Sequence, residues 1–361
     1  MQKMFVNKKI ELANTLPSEF YTYEKFYNLS KEKIFLKSWQ WIDSNEINNK
    51  NKIIIPINIL EDLINEPVIL LKDNNNIKCY SNVCTHRGNI LVEKECKLKK
   101  IVCNYHGRRF NLNGEFEFMP EFESVKNFPS SNDNLKNLPL INWHGLFFVG
   151  INPHFELSPI LKHIEKRISF LALNELKINN DLSRDYFVNS HWAIYCDNFL
   201  EGFHVPYVHK GLNEVLDYNN YKTEIYKNFN LQIGFSKNKD LCFQFPKNHR
   251  DYGKKIAAFY YWIFPNIMLN IYPWGISLNV VCPINKSKTK VLFRSYVLDN
   301  SKLNNGASED LNEVELEDEN IVENVQKGIN SSFYNSGRFS VEREKGIHHF
   351  HCLISQFINL K

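Results

Sequence analysis

The sequence lacks the features that mark membrane-anchored, secreted or nucleic-acid-binding chains. Its N-terminal text, Met1 to Tyr21, mixes Lys8, Lys9, Glu11 and Glu19 with isolated apolar residues. A secretory leader or membrane span needs an apolar core that this segment does not have, so a cytoplasmic protein with no membrane association is expected. Lysine and arginine number 44 against 40 aspartates and glutamates, and the formal charge is only +4. With no basic block interleaved with aromatics, nucleic acid is not an expected partner. Nor is a disulfide framework. The eight cysteines are scattered through 361 residues, and in such a chain metal binding or burial is the better reading. Cys79, Cys96, Cys196, Cys242, Cys282 and Cys352 lie in apolar surroundings and read as small buried hydrophobes. Only Cys84 and Cys103 keep company that suits a metal.

What is present is enough apolar material, 43% hydrophobic and 14% aromatic, to build more than one core. No internal repeat is visible. The polar stretch Asn45 to Lys52 reads as a surface loop that opens a first domain. Beyond it come short apolar runs broken by turn residues: Ile53 to Ile55, Val68 to Leu71, Ile101 to Val102, Phe116 to Phe118 and Leu146 to Val149. They predict a small all-β domain. After Pro159 the text turns helical over Ile160 to Leu173. Strands then follow at Val280 to Cys282 and Val291 to Leu298, and two helical stretches close the chain. The fold class expected is therefore α+β.

Between the early strands stand Cys84-Thr-His86-Arg-Gly88 and, after sixteen intervening residues that begin at Arg87, Cys103-Asn-Tyr-His106-Gly107. Two thiolates and two imidazoles in glycine-bearing loops suit a two-iron, two-sulfur centre with cysteines on one iron and histidines on the other. A structural zinc site takes the same residue types, but zinc motifs usually pair Cys with Cys and His with His. The interleaved order favours the cluster. This stretch resembles the Rieske oxygenases, whose pattern is Cys-x-His, about sixteen residues, then Cys-x-x-His-Gly. The match includes every ligand. It departs one residue later, where the family commonly has tryptophan and this chain has Arg108, a change expected to alter the surface near the cluster.

The second constellation is His191-Trp-Ala-Ile-Tyr-Cys-Asp197-Asn198-Phe-Leu-Glu201-Gly-Phe-His204-Val-Pro206-Tyr-Val-His209. Helical spacing up to about Val205 puts Asp197, Glu201 and His204 on one face. Pro206 argues against an uninterrupted helix, so His209 is expected to follow a kink or turn that swings it towards His204. Non-haem iron oxygenases use two histidines and one carboxylate. For the carboxylate, Leu311, Val314, Val322, Val325 and Ile329 form an apolar stripe with Asp318 in its gap, and a carboxylate there must be paired or metal-bound. Glu315, Glu317 and Glu319 flank the stripe and read as solvated charges.

The stretch resembles the catalytic motif of the ring-hydroxylating oxygenase alpha-subunit family. Glu317-Asp318, Gln326-Lys-Gly328 and His348-His-Phe-His351 resemble its choline- and carnitine-monooxygenase-like branch, and the likeness covers nearly the whole chain. It implies a Rieske [2Fe-2S] domain over 41–155, with Cys84, His86, Cys103 and His106 as cluster ligands. It also implies a helix-grip, START-like catalytic domain over 156–361, with Fe(II) on His204, His209 and Asp318, and a helical segment over 1–40 packing on it. Glu201 takes the place of the carboxylate that bridges the two metal centres across subunits; most relatives have aspartate there, and glutamate occurs in the choline and carnitine branch. The expected function is that of a terminal oxygenase. It would use O2 and electrons from a separate NAD(P)H-dependent reductase to hydroxylate or demethylate a small organic substrate, quaternary ammonium compounds among the candidates, within a homotrimer. The alternatives are an aromatic-ring dioxygenase or O-demethylase, and a non-catalytic electron carrier or ligand-binding protein. His348, His349 and His351 read as an aromatic helix face packed on the core. Tyr272, Pro273 and Trp274 suit either a buried turn or the wall of a pocket for a cation or a flat ring.

Overall fold

The computed structural model describes residues 4–43, 47, 52–74, 76–97, 99–303, 306–308 and 311–360. Most of the polar stretch 45–52 falls outside them. The chain divides into two compact units, Leu36–His154 and Met1–Phe35 with Phe155–Lys361.

The Leu36–His154 unit is built from ten short strands: β1 (Trp39–Ile42), β2 (Lys52–Ile59), β3 (Glu66–Asp73), β4 (Asn76–Ser81), β5 (Ile101–Val102), β6 (Arg109–Phe110), β7 (Phe116–Phe118), β8 (Asn137–Leu138), β9 (Leu140–Trp143) and β10 (Leu146–Gly150). They form sheets ordered β2-β3-β4-β8, β1-β10-β9 and β5-β6-β7. The inward residues of these strands bury Ile54, Ile69, Leu71, Tyr80, Ile101 and Phe110 in one core that also takes in Cys84 and Cys103. That core seats the cysteine loops on rigid strands.

The second unit opens with the short helices α1 (Ser18–Thr22) and α2 (Glu24–Leu29). The helical segment expected over 1–40 stops short of Trp39, where β1 begins. After α3 (Ser158–Arg167) comes a seven-stranded antiparallel sheet, ordered β11-β17-β16-β15-β14-β13-β12. Its strands are β11 (Lys177–Val188), β12 (Lys222–Ile225), β13 (Phe229–Phe235), β14 (Ile256–Ile263), β15 (Ile267–Tyr272), β16 (Gly275–Asn285) and β17 (Lys288–Val297). In β14 and β15 nearly every residue is buried. Such near-continuous apolar runs belong to a sheet covered on both faces. Between β11 and β12 lie α4 (Trp192–Phe199), α5 (Val205–Val208) and α6 (Lys210–Val215); the chain ends with α7 (Leu311–Ile329) and α8 (Lys345–Ile358). Helix α3 ends at Arg167, short of the expected Leu173. Helix α4 packs on β16, α7 and α8, and α7 packs on β11. Among the described residues no helix is long and apolar enough to cross a membrane.

Candidate metal centres

Cys84 follows β4 and Cys103 follows β5, and their loops share one backbone pattern. The Cys84 N–H donates to the Asn89 carbonyl and the Gly88 N–H to that of Cys84; the Cys103 N–H donates to the Arg108 carbonyl and the Gly107 N–H to that of Cys103. Gly88 and Gly107 both sit at φ +73°, where a side chain would strain the backbone. That is why the fourth residue after each cysteine is glycine. The two thiols are buried and hydrogen-bond to one another. Main-chain N–H groups of His86, for Cys84, and of Tyr105 and His106, for Cys103, donate to the sulfurs; burial outweighs this at Cys84, whose pKa is raised, whereas the hydrogen bonds outweigh burial at Cys103, whose pKa is lowered. The His86 and His106 rings stand edge to face, 4.8 Å apart. No three of these four residues place ligand atoms within 4.8 Å of one another; among the described residues that arrangement occurs only at His204, His209 and Asp318. The four therefore do not close on one point as a tetrahedral zinc site does. Paired sulfurs and paired imidazoles fit a cluster with two irons.

Arg108 does not alter the surface, contrary to the expectation. It is 2% exposed. Its guanidinium donates to Asp133 Oδ1 at 2.7 Å and lies against the rings of Phe110, Phe116 and Phe128. The carbonyl of Asp133 in turn accepts the Thr85 hydroxyl at 2.8 Å. A partly buried ion pair thus ties the second loop to the first.

At the other constellation, α4 ends at Phe199, and the helical spacing expected to reach Val205 is broken by Glu201. Its Oε2 accepts the main-chain N–H groups of Phe203 and His204, local bonds that compete with the helix. Pro206 falls in the first turn of α5, where no N–H is needed. It opens a separate short helix, so the uninterrupted helix is broken as expected and His209 follows at the end of that turn. The other Glu201 oxygen accepts His204 Nδ1 at 2.5 Å, and Glu317 Oε2 accepts His209 Nδ1 at 2.7 Å. Each ring therefore turns Nε2 towards Asp318, whose Oδ1 is 3.6 Å from that of His204 and 3.0 Å from that of His209. Asn198 Nδ2 donates to the same oxygen at 2.7 Å. Burial works to lower the His209 pKa, but Asp318 and Glu317 outweigh it and raise it. Two imidazoles with fixed tautomers and one carboxylate, converging on one point, fit Fe(II).

Residues 174–359 match the ring hydroxylating alpha subunit (catalytic domain) family, and residues 45–129 match the Rieske [2Fe-2S] domain. The chain belongs to the Rieske ring-hydroxylating oxygenases. A Rieske oxygenase of this kind is an oxidoreductase, and its cofactors are a [2Fe-2S] cluster and mononuclear Fe(II). The chloroplastic choline monooxygenase of Arabidopsis thaliana is 30% identical over 97% of this chain and 84% of its own. The carnitine monooxygenase oxygenase subunit of Escherichia coli (strain K12) is 28% identical over 95% and 94%. The quaternary ammonium Rieske monooxygenase CntA, solved with L-carnitine, superposes with a TM-score of 0.75 at 22% identity, covering 99% of this chain and 100% of that one. It shares the fold.

Three acids of this Rieske oxygenase depart from the solvated reading. Glu317 orients His209. Glu315 is buried, and both its oxygens lie within 2.8 Å of the Tyr195 hydroxyl. Glu319 is partly enclosed, and burial pushes its pKa up. The stripe shifts accordingly: Val325 is exposed, and the buried face of α7 runs through Glu315, Val322, Gln326 and Ile329. Asp197, placed on one face with Glu201 and His204, turns instead to the chain ends. It accepts from Tyr21 Oη at 3.0 Å and lies 2.9 Å from His351 Nε2, while His351 Nδ1 accepts the Leu16 N–H.

Beside His204, His209 and Asp318 opens a cavity of about 120 Å³. Its walls include Tyr221, Tyr260, Tyr272, Asn270, Phe293 and Glu315, with no lysine or arginine among the described residues that line it. Tyr272 reaches the cavity, whereas Trp274 stacks behind it, with ring centroids 5.4 Å apart.

Proposed function

We propose that this Rieske oxygenase is the terminal monooxygenase component for a small quaternary ammonium compound. One observation carries the reading. The cavity is small beside the roughly 300–1,000 Å³ of drug-sized sites, and among the described residues that line it are tyrosine rings and carboxylates but no lysine or arginine. A permanent cation without a proton to donate is held by such faces and charges. The choline and carnitine monooxygenase relatives support the same substrate class.

In this reading Cys84, His86, Cys103 and His106 hold the cluster, which supplies single electrons, and His204, His209 and Asp318 hold the iron, which supplies oxygen activation. Glu201 and Glu317 keep the two rings in the tautomer that presents Nε2. Asn198 keeps Asp318 aimed between them. Glu201 is nearly enclosed, at 10% side-chain exposure, and a carboxylate has lone pairs for a further donor; we assign it as the bridge to a cluster histidine of a neighbouring subunit. The assembly is a cytoplasmic homotrimer served by a separate NAD(P)H-dependent reductase. One oxygen atom of O2 enters a carbon–hydrogen bond and the other leaves as water, with two electrons from the reductase and two protons. Where that carbon is bonded to nitrogen, the hydroxylated product breaks into an amine and an aldehyde.

The test is a single turnover of the reduced, iron-replete protein under isotopically labelled O2, with a panel of quaternary amines and aromatic acids. A labelled aldehyde or alcohol from a quaternary amine is expected. Labelled diol or phenol from an aromatic acid alone would overturn the substrate class and favour the ring-hydroxylating alternative.

A further inference from the structure

Helices α4 and α7 meet in two polar rungs. Asn198 with Asp318 forms one. One turn earlier on both helices, about 5 Å along the axis, Tyr195 with Glu315 forms the other. Three carboxylates line the cavity: Glu201, Asp318 and Glu315. The oxygens of Glu201 are taken by His204 and the main chain, and Asp318 faces the two Nε2 atoms. Glu315 serves neither histidine. Its partner is a phenol, which carries one proton and no charge, and a buried carboxylate is costly without a cation.

We infer that Glu315 is the specificity-determining counter-charge of the substrate cavity, selecting a permanent cation over a neutral molecule of the same shape. The inference rests on the quaternary ammonium reading above. A charge one helical turn from Asp318 is well placed for a substrate whose oxidised carbon is bonded to its charged nitrogen. The tyrosine faces of Tyr221, Tyr260 and Tyr272 supply the rest of the cage. Burial, reinforced by the charges of Asp318 and Glu319 and opposed by the Tyr195 hydroxyl, pushes the Glu315 pKa well up; Tyr186 on β11 also feels its charge. The empty cavity therefore favours the neutral acid, and an incoming cation favours the carboxylate.

The experiment compares holo wild type with Glu315→Gln, which keeps the shape and a hydrogen bond to Tyr195 while removing the charge. Anaerobic calorimetry gives the Kd for choline, for L-carnitine and for the choline isostere in which carbon replaces nitrogen. Iron content and the cluster EPR spectrum report that the variant is folded and loaded. In wild type the cation should bind more tightly than its isostere. In Glu315→Gln, cation affinity should fall about tenfold or more, with isostere affinity unchanged or improved. Should Glu315→Gln keep the wild-type preference, the counter-charge assignment is wrong while the substrate class stands. Should wild type itself show no preference for the cation, both fall together.

Discussion

Glu317 shows how much one side chain of a metal site depends on a partner that its local sequence does not reveal. It stands beside Asp318 in an acidic run and reads as solvated, yet its carboxylate fixes His209 from a helix more than a hundred residues away in sequence. Carboxylates in this position hold ring orientation and raise ligand basicity. Glu317→Ala should lower iron affinity at the mononuclear site by about 10–100-fold, with the cluster intact. Iron titration by calorimetry, alongside the cluster's visible absorbance, checks it; unchanged iron affinity would remove Glu317 from the site. The residues proposed as ligands could be picked out because each pair lies within a few residues: Cys84 with His86, Cys103 with His106, His204 with His209. Glu315 and Gln326 were not, because polar residues on a buried face are satisfied from other elements. Tyr195 serves Glu315, and the His191 main-chain N–H serves Gln326.

At the scale of elements, the short strands of the Leu36–His154 unit could be read from apolar runs and turns, since each alternation is local. Helix ends could not. The end of α4 is set by a side chain returning to its own backbone at Glu201, and it is buttressed by α8. A Cβ on Gly346, near the start of α8, would meet the Leu200 carbonyl at 2.2 Å, and that carbonyl belongs to the residue before Glu201. Gly346→Ala must push the two helices apart at this point. The displacement moves Glu201 off His204, and overpacking of this kind costs about 1–3 kcal/mol. The expected outcome is a lower thermal midpoint with partial loss of mononuclear iron and an unchanged cluster EPR signal. Full iron occupancy in a destabilised variant would mean that the Leu200 contact supports the fold without positioning Glu201. The two helices are also pinned through Asp197 and His351, a link across 154 residues of sequence that no periodicity announces.

For the whole molecule the decisive matter is which cluster reduces which iron. If Glu201 bridges to a neighbouring subunit, each subunit's cluster serves the iron of the next, and a closed ring follows from a head-to-tail interface. Two variants separate this from transfer within one chain. Cys103→Ser removes a proposed cluster ligand and His204→Ala a proposed iron ligand, so each assembly of a single variant should be inactive under either scheme. Refolding or co-expressing the two in equal amounts gives mixed rings. A site is then active when its own subunit has kept the iron and the subunit feeding it has kept the cluster. With random assembly each condition holds with even odds, so about a quarter of the wild-type activity should return if the ring is directional and closed. Transfer confined to one chain returns none, because no single chain in the mixture holds both centres. The dependence on mixing ratio sharpens the result: activity should follow the product of the two fractions and peak at equal amounts, a curve that contamination by wild type cannot reproduce.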